Sequence, residues 1–439
     1  MKKLGLTLVL LAGAWPVLGI AQDLRTDIQQ DYEAHLRPLF EHFHRHPELS
    51  LAEFATAARM AEELRSAGFD VTENVGGTGL VAMMRNGAGP LVMMRADMDG
   101  LPVAERSGLQ YASTATQADP ATGETLPVMH ACGHDVHITS LVGTARQMAK
   151  RRDAWSGTLM LVVQPAEERG LGARAMKADG LWERFGTPDY VLGFHVAAEN
   201  ESGRINVQEG SPYAGVDSVD IIVRGIGAHG ASPHQGKDPI VLASQIVLAL
   251  QTMISREHSP REPGVVPVGA FHAGSKHNIL PDEARLQLTG RNTNAATRAL
   301  LLDGIARIAE NLGRAAGLPE ELLPEVIVLD EWTPPMVNDA DLVRRLKGAW
   351  SEQIGAGVVV DEPPTGMGGE DFPFFAIDPE IPSAFWRIGG TSAEDIAAAK
   401  NGGAPVPSHH SPEFRVEPDP SIMLGVESTV VALLDLLQQ

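Results

Sequence analysis

Cysteine is almost missing from this chain. Cys132 is the only one in 439 residues, which excludes an intrachain disulfide framework and any zinc site built from cysteine alone. Positive charge is scarce as well. Lys and Arg total 35 against 56 Asp and Glu, a formal net charge of −21, and that balance argues against a polyanionic partner such as nucleic acid. Past the N-terminus no apolar run reaches the roughly 20 residues that a membrane span needs. Internal repeats and low-complexity tracts are also missing. What is present is a 44% hydrophobic composition, enough to exclude disorder over most of the length and to bury a large core. The length exceeds what one core usually organises, so two domains are expected.

Residues Met1 to Ala21 have the layout of a secretory leader. Lys2 and Lys3 precede the short apolar run Leu4 to Gly13, and Gly19-Ile20-Ala21 supplies the small-x-small pattern for cleavage before Gln22. Pro16 and the shortness of the run argue against a membrane anchor. The expectation is a soluble periplasmic or secreted protein. Such a protein must shelter its one thiol, and a bound metal would do so.

Ser50-Leu51-Ala52-Glu53 has the form of a capping box, predicting a helix from there to about Gly68. Leu91 to Arg95, Thr158 to Gln164 and Tyr190 to Phe194 are continuous apolar runs. Each delivers polar residues just past its end: Asp97-Met98-Asp99, Glu167-Glu168 and His195. Such runs suggest strands buried on both faces, hence a largely parallel sheet whose ligands bind beyond the strands' C-terminal ends. From Ser218 the pattern changes. Ser218 to Arg224 alternates, Ile240 to Arg256 is helical, Val265 to Phe271 and Ala284 to Arg291 read as strands, Thr297 to Ala316 as a helix, and Pro324 to Leu329 as a strand. That β-α-β-β-α-β order is a small α/β sandwich. After Trp332 the mixed pattern returns. The expected architecture is α/β, a catalytic domain built from residues 22–212 and 331–439 and interrupted by an inserted βαββαβ domain over 213–330.

The densest chemistry is His130-Ala131-Cys132-Gly133-His134-Asp135-Val136-His137. Thiolate, imidazole and carboxylate bind borderline divalent metals, and Gly133 lets the backbone turn between Cys132 and His134. In Gln164-Pro165-Ala166-Glu167-Glu168 adjacent carboxylates diverge, so one ligand and one free base are natural roles. Taken alone, that segment can equally be a solvated acidic turn. A lone His195 is more often packed than ligating, and Ser408-His409-His410-Ser411-Pro412 can be a solvated loop.

Together these segments resemble the M20 metallopeptidases, nearest to the amidohydrolase subgroup of hippurate, N-acyl-amino-acid and auxin-conjugate hydrolases. Arg95-Ala96-Asp97-Met98-Asp99, Gly227-Ala228-His229-Gly230, Asn278-Ile279-Leu280-Pro281 and Gly369-Glu370-Asp371-Phe372 add to the match. The resemblance covers nearly all of the mature chain. It implies a di-metal exopeptidase-like catalytic domain, an inserted lid that mediates homodimerisation, and two divalent ions per subunit (Zn, Mn, Co or Ni). By position it makes Cys132 the bridging thiolate, and His134, Glu168, His195 and His410 the other ligands. His409 competes with His410 for that last place. Glu167 becomes the free base. His229 is the oxyanion-holding imidazole reaching across the dimer, and Asn278 and Arg291 are substrate contacts, with Arg291 facing a carboxylate. Asp99 is read as orienting a ligand imidazole.

The implied activity is hydrolysis of a small-molecule amide bearing a free carboxylate, such as an N-acyl amino acid. A metal ion lowers the pKa of its water from 15.7 to about 7, which supplies hydroxide near neutral pH. A dipeptidase or carboxypeptidase using the same site, and a non-catalytic exported binding protein, are the alternatives. Two segments depart from the family pattern, Ser113 to Pro127 and Ala197-Ala198-Glu199-Asn200, and both are candidates to line or gate the pocket.

Overall fold

The computed structural model describes residues 15–438. Met1–Ala14, the larger part of the expected leader, lies outside the described residues, and the helix Trp15–Asp31 runs through the expected cleavage position.

Eight strands form the main sheet, in the spatial order Asp70–Glu73, Leu80–Asn86, Gly157–Gln164, Leu91–Asp97, Tyr190–Glu201, Ser383–Thr391, Ile205–Asn206 and Val359–Val360. The middle four run parallel. Their continuous apolar character follows from burial on both faces. Val92, Met94 and Ala96 join a core that includes Leu141 and Val142 of the helix His134–Lys150 and Val430 and Leu433 of Pro418–Leu436. Met93, Met160, Val162 and Val191 point the other way, against Phe372 and Phe375. Each such fully buried side chain contributes about 1.5–3 kcal/mol.

A second sheet holds Gly264–Val265, Glu283–Asn292, Gly215–Arg224 and Glu325–Thr333, with Val268–Ala273 paired to Glu283–Asn292. Glu283–Asn292 alternates buried and less buried residues along nearly its whole length, as a half-buried strand must. The helices Pro239–Arg256 and Ala295–Ala315 cover one face. Leu242, Ile246 and Leu250 meet Ile221 and Leu286 there, and Leu301 and Ile305 complete this separate core. Asp238 caps the first helix through Ile240 N (2.9 Å), with Pro239 in its first turn. That helix is, by length and composition, apolar enough to cross a membrane, contrary to the expectation that no such run follows the N-terminus. Its buried face packs on the sheet.

Two local expectations are corrected. The helix predicted to open at Ser50 opens at Phe54 and ends at Ser66. Ser50 is recruited away, donating to Asp99 Oδ2 at 2.6 Å. Glu53 accepts from Leu51 N and Ala166 N, while Glu48 receives the free N–H groups of Ala55 and Thr56. The third apolar strand does not stop at His195 but continues to Glu201, because Ser383–Thr391 pairs with it along that length.

Behind the sheet's C-terminal end, buried His44 is held between Asp135 (Nδ1–Oδ2 2.7 Å) and Glu105 (Nε2–Oε1 3.1 Å). Burial alone would depress its pKa. The two carboxylates outweigh that and raise it from 6.5 to about 9. A pKa raised by folding stabilises fully below the unfolded value and is lost as pH rises through the folded one. The stability gap between the native chain and His44→Ala should therefore shrink by about 3 kcal/mol from pH 6 to pH 9. Urea unfolding of both proteins at the two pH values reads this directly, and a constant gap would contradict it.

Candidate metal centre

Cys132 closes the turn that feeds the helix His134–Lys150. Gly133 between them has φ 86°, and a Cβ there would lie 2.4 Å from Val196. Only glycine lets the thiol and the His134 imidazole enter one space from neighbouring positions. Glu167 and Glu168 follow the strand Gly157–Gln164, and Asp97 ends Leu91–Asp97. His410 arrives from the C-terminal loop, its N–H held by Ala131 O at 2.9 Å.

These side chains converge. Cys132 Sγ lies 3.3 Å from His195 Nε2, and His410 Nε2 lies 3.3 Å from Glu168 Oε2. His134 Nε2 stands 3.8 Å from Glu168 Oε1 and 3.9 Å from Glu167 Oε2. Cys132, His134 and His195 form one set whose donor atoms all lie within 4.8 Å, and Cys132, Glu168 and His410 form another sharing the same thiol. Hydrogen bonds sort the imidazoles. His195 Nδ1 donates to Val196 O at 2.6 Å, leaving a lone pair on Nε2 toward the sulfur. His137 is fully engaged, accepting from Val196 N at Nε2 (2.8 Å) and meeting Asp97 at Nδ1 (2.5 Å). It therefore has no nitrogen to offer, although it sits close to Asp97 and His134. His134 Nδ1 is 3.2 Å from Asp99 Oδ1, close but not aligned as a hydrogen bond.

The electrostatics call for cations. Burial raises the pKa of Glu167 well above the usual carboxylate range, and Glu370 and Glu168 add to it. Cys132 is likewise pushed up, first by burial and then by Glu168 and Glu167. For His134 burial pulls down, but Asp97 and Asp99 carry it to about 10. Both His134 nitrogens and Glu168 Oε1 are buried without a hydrogen-bond partner. Orphaned donor atoms in an over-acidic pocket are what divalent ions satisfy. A thiolate, imidazoles and a carboxylate suit zinc and also admit manganese, cobalt or nickel. The residues present thus fit the pair of ions that the resemblance implies.

Under the acids lies a charge network, of which Glu370 and Asp371 entered the sequence reading only as motif matches. Arg95 is wholly buried and bonds Gln164, Asp97 and Glu370, each at 2.7 Å. Glu370 and Asp371 lie within the same 4.8 Å reach of Glu167. The available signal was a charged residue inside an apolar strand, which is stable only if compensated.

Beside the cluster opens a cavity of about 570 Å³ whose walls include Cys132, Glu167, Glu168, His195, Arg291, Trp332, Arg387, His409 and His410. Arg291 reaches it from the second sheet and, among the described residues, bonds Met367 O at 3.4 Å. His229 and Asn278 lie elsewhere in this chain and are not among its walls. His229 is exposed on the short ladder Ala228–His229 against Ile279–Leu280, and Asn278 immediately precedes that ladder's second strand. Of the two departures from the family pattern, Ala197 and Glu199 do line the cavity. Nothing from Ser113 to Pro127 does, among the described residues. That segment folds into a hairpin, Thr116–Ala118 with Thr125–Pro127, pinned away by Gln117 to Leu49 N and Ala52 O.

Metal loading should shield the thiol. With two equivalents of zinc or cobalt bound, Cys132 should react at least about tenfold more slowly with a disulfide reagent than after chelation, because a coordinated thiolate is not free to attack. Equal rates with and without metal would contradict the assignment.

Comparison with known proteins agrees with this geometry. The profile of Peptidase family M20/M25/M40 matches residues 93–408. A hippurate hydrolase of Campylobacter jejuni is 35% identical over 350 residues, 80% of this chain and 86% of its own. Thermostable carboxypeptidase 2 of Saccharolobus solfataricus is 32% identical over 406 residues, 92% of this chain and 95% of its own. A Bacillus subtilis crystal structure described as a dinuclear metal binding peptidase from the M20 family superposes with a TM-score of 0.75 at 26% identity, covering 93% of this chain and 99% of that one. With its fold, its clustered donor atoms and most of its length matched, the chain belongs to peptidase family M20/M25/M40.

Proposed function

We propose that this protein is an exported, metal-dependent amidohydrolase that cleaves the amide bond of N-acyl amino acids. The observation carrying this reading is the set of orphaned donor atoms around Cys132, with Glu167 beside them at the floor of an open cavity. Cys132, His134, Glu168, His195 and His410 would hold two divalent ions. When bound, such ions make water acidic enough to ionise near neutral pH and polarise a carbonyl oxygen.

Glu167 then acts as the mobile base. It takes the proton of the attacking water and delivers it to the departing nitrogen, so that as the C–N bond breaks the amino-acid half leaves as a neutral amine and the water oxygen stays on the acyl carbon. With cations held beside it the ionised carboxylate is the favoured form, so Glu167 is free to accept that proton. Arg291 contributes a guanidinium with no carboxylate partner among the described residues, which suits a bidentate bond to the free carboxylate of the substrate. Its pKa is lowered by burial, a cost that an incoming anion relieves. Trp332, Tyr213 and Val216 give the wall facing the acyl group an apolar character.

His229 and Asn278 sit outside the cavity of their own chain, so in this reading they serve the cavity of a second copy, in a homodimer formed through the second sheet and its helices. Ile240, Val241 and Leu248, exposed on the helix Pro239–Arg256, supply apolar surface for that contact. Export rests on the leader pattern of Met1 to Ala21, and a mature N-terminus at Gln22 in protein recovered from its host would support it.

Glu167→Gln should retain both ions and lose about 10²- to 10⁴-fold in kcat. A panel of N-acyl amino acids and dipeptides, assayed alongside metal analysis, measures it, and undiminished turnover would refute the role. Arg291→Ala should raise KM about 10- to 100-fold for substrates with a free carboxylate, and leave their amidated analogues unaffected, the loss expected when one charged hydrogen-bond partner is removed. Equal effects on both substrate types would remove Arg291 from carboxylate recognition.

A further inference from the structure

Two histidines stand side by side at the C-terminal end of the site, and the geometry points to different tasks for them. We infer that His409 is a positioning residue: its Nδ1–H is donated to the sulfur of Cys132, and it is not a metal ligand. The inference rests on the metal reading above and assigns a role that the motif comparison left open.

His410 has φ 66°, and the adjacent side chains part there. His410 turns toward Glu168 and remains half-exposed, while His409 turns inward, 24% exposed. His409 packs against the ring of Phe414 at 4.8 Å and places Nδ1 3.6 Å from Cys132 Sγ, within hydrogen-bonding range for sulfur.

The backbone decides the tautomer. Ala198 N–H donates to His409 Nε2 at 3.1 Å. A nitrogen that accepts from an amide cannot itself carry hydrogen, so in the neutral ring the hydrogen is on Nδ1, the atom facing sulfur. A ligating Nδ1 would require the reverse tautomer and would set Nε2–H against the Ala198 N–H. Glu199 Oε2 lies 3.6 Å from Nε2, too far to compete as a hydrogen bond.

The same strand arranges His137 in the same way, through Val196 N–H. The strand Leu91–Asp97 pairs with Tyr190–Glu201 only as far as Gly193. Beyond that ladder's end, the N–H groups of Val196 and Ala198, two residues apart, each find an imidazole. Both rings are thereby oriented with Nδ1–H toward an anionic partner, Asp97 for one and the Cys132 sulfur for the other. A donor to the sulfur holds Cys132 facing His195 and Glu168 and draws charge from the thiolate, the kind of support that tunes a metal ligand from outside its coordination shell.

Cobalt substitution reads this without reference to turnover. The native protein, His409→Ala, His409→Asn and His410→Ala are each loaded with cobalt, and bound cobalt and the sulfur-to-cobalt charge-transfer band are measured. His409→Ala should keep two ions and move the band to longer wavelength, since the thiolate has lost a donor. His409→Asn, whose amide nitrogen sits near the former Nδ1, should move it back, and His410→Ala should bind fewer than two ions. If His409→Ala does not fold, His409→Gln, with its amide displaced from the Nδ1 position, serves as the donor-deficient variant. Loss of an ion in the donor-deficient variant with both retained in His410→Ala would overturn the proposal by making His409 the ligand. Two ions with an unmoved band would overturn it while leaving the metal reading intact. A native protein that binds no cobalt would remove the metal reading, and the proposal with it.

Discussion

Buried negative charge must be compensated, and the centre of this molecule is arranged around that requirement. Asp97, Asp99, Glu370 and Asp371 lie fully buried at or near the ends of parallel strands, and Glu167, Glu168 and Cys132 crowd beside them. Arg95 answers the lower group through short bonds to Asp97 and Glu370. Among the described residues nothing comparable answers the upper group, where donor atoms of His134 and Glu168 have no hydrogen-bond partner. Left alone, these acids hold their protons, and a thiol among them stays neutral. Divalent cations reverse that order, and a thiolate or carboxylate becomes the favoured form once a positive charge is adjacent. The fold's readiness for metal is therefore a charge deficit fixed by the sheet.

Backbone amides do the finer sorting. Imidazoles are ambiguous until one nitrogen is engaged. Val196 O takes the Nδ1–H of His195 and frees its Nε2. Val196 N occupies His137 Nε2, and Ala198 N occupies His409 Nε2. One strand, by running several residues past its neighbour, distinguishes an imidazole that can ligate from two that support.

Much of this was legible in the amino-acid order. Apolar runs ending in Asp97, Glu167-Glu168 and His195 announced a parallel sheet with a site at its edge, and the alternation from Ser218 onward announced a second, half-buried sheet. What could not be read depended on tertiary partners. Ser50 has the local form of a helix cap, yet a buried Asp99 claims its hydroxyl. His195 was expected past a strand end and lies within a longer strand, because its parallel neighbour extends the ladder. Arg95 and Glu370 are 275 residues apart, and no local pattern pairs them. Of the adjacent His409 and His410, the sequence favours His410 as ligand only through the Ser411-Pro412 that follows it, and gives His409 no task. The backbone turn at His410 and an amide on a distant strand separate them.

The central claim is that two cations share one thiol at the end of the parallel sheet. Anomalous diffraction at the absorption edge of the bound metal, from crystals of the metal-loaded protein, tests it most directly. The account predicts two peaks roughly 3.5–4 Å apart, both within bonding distance of the Cys132 sulfur, one beside His134 or His195 and the other beside Glu168 and His410. A single peak, or peaks remote from that sulfur, would contradict it.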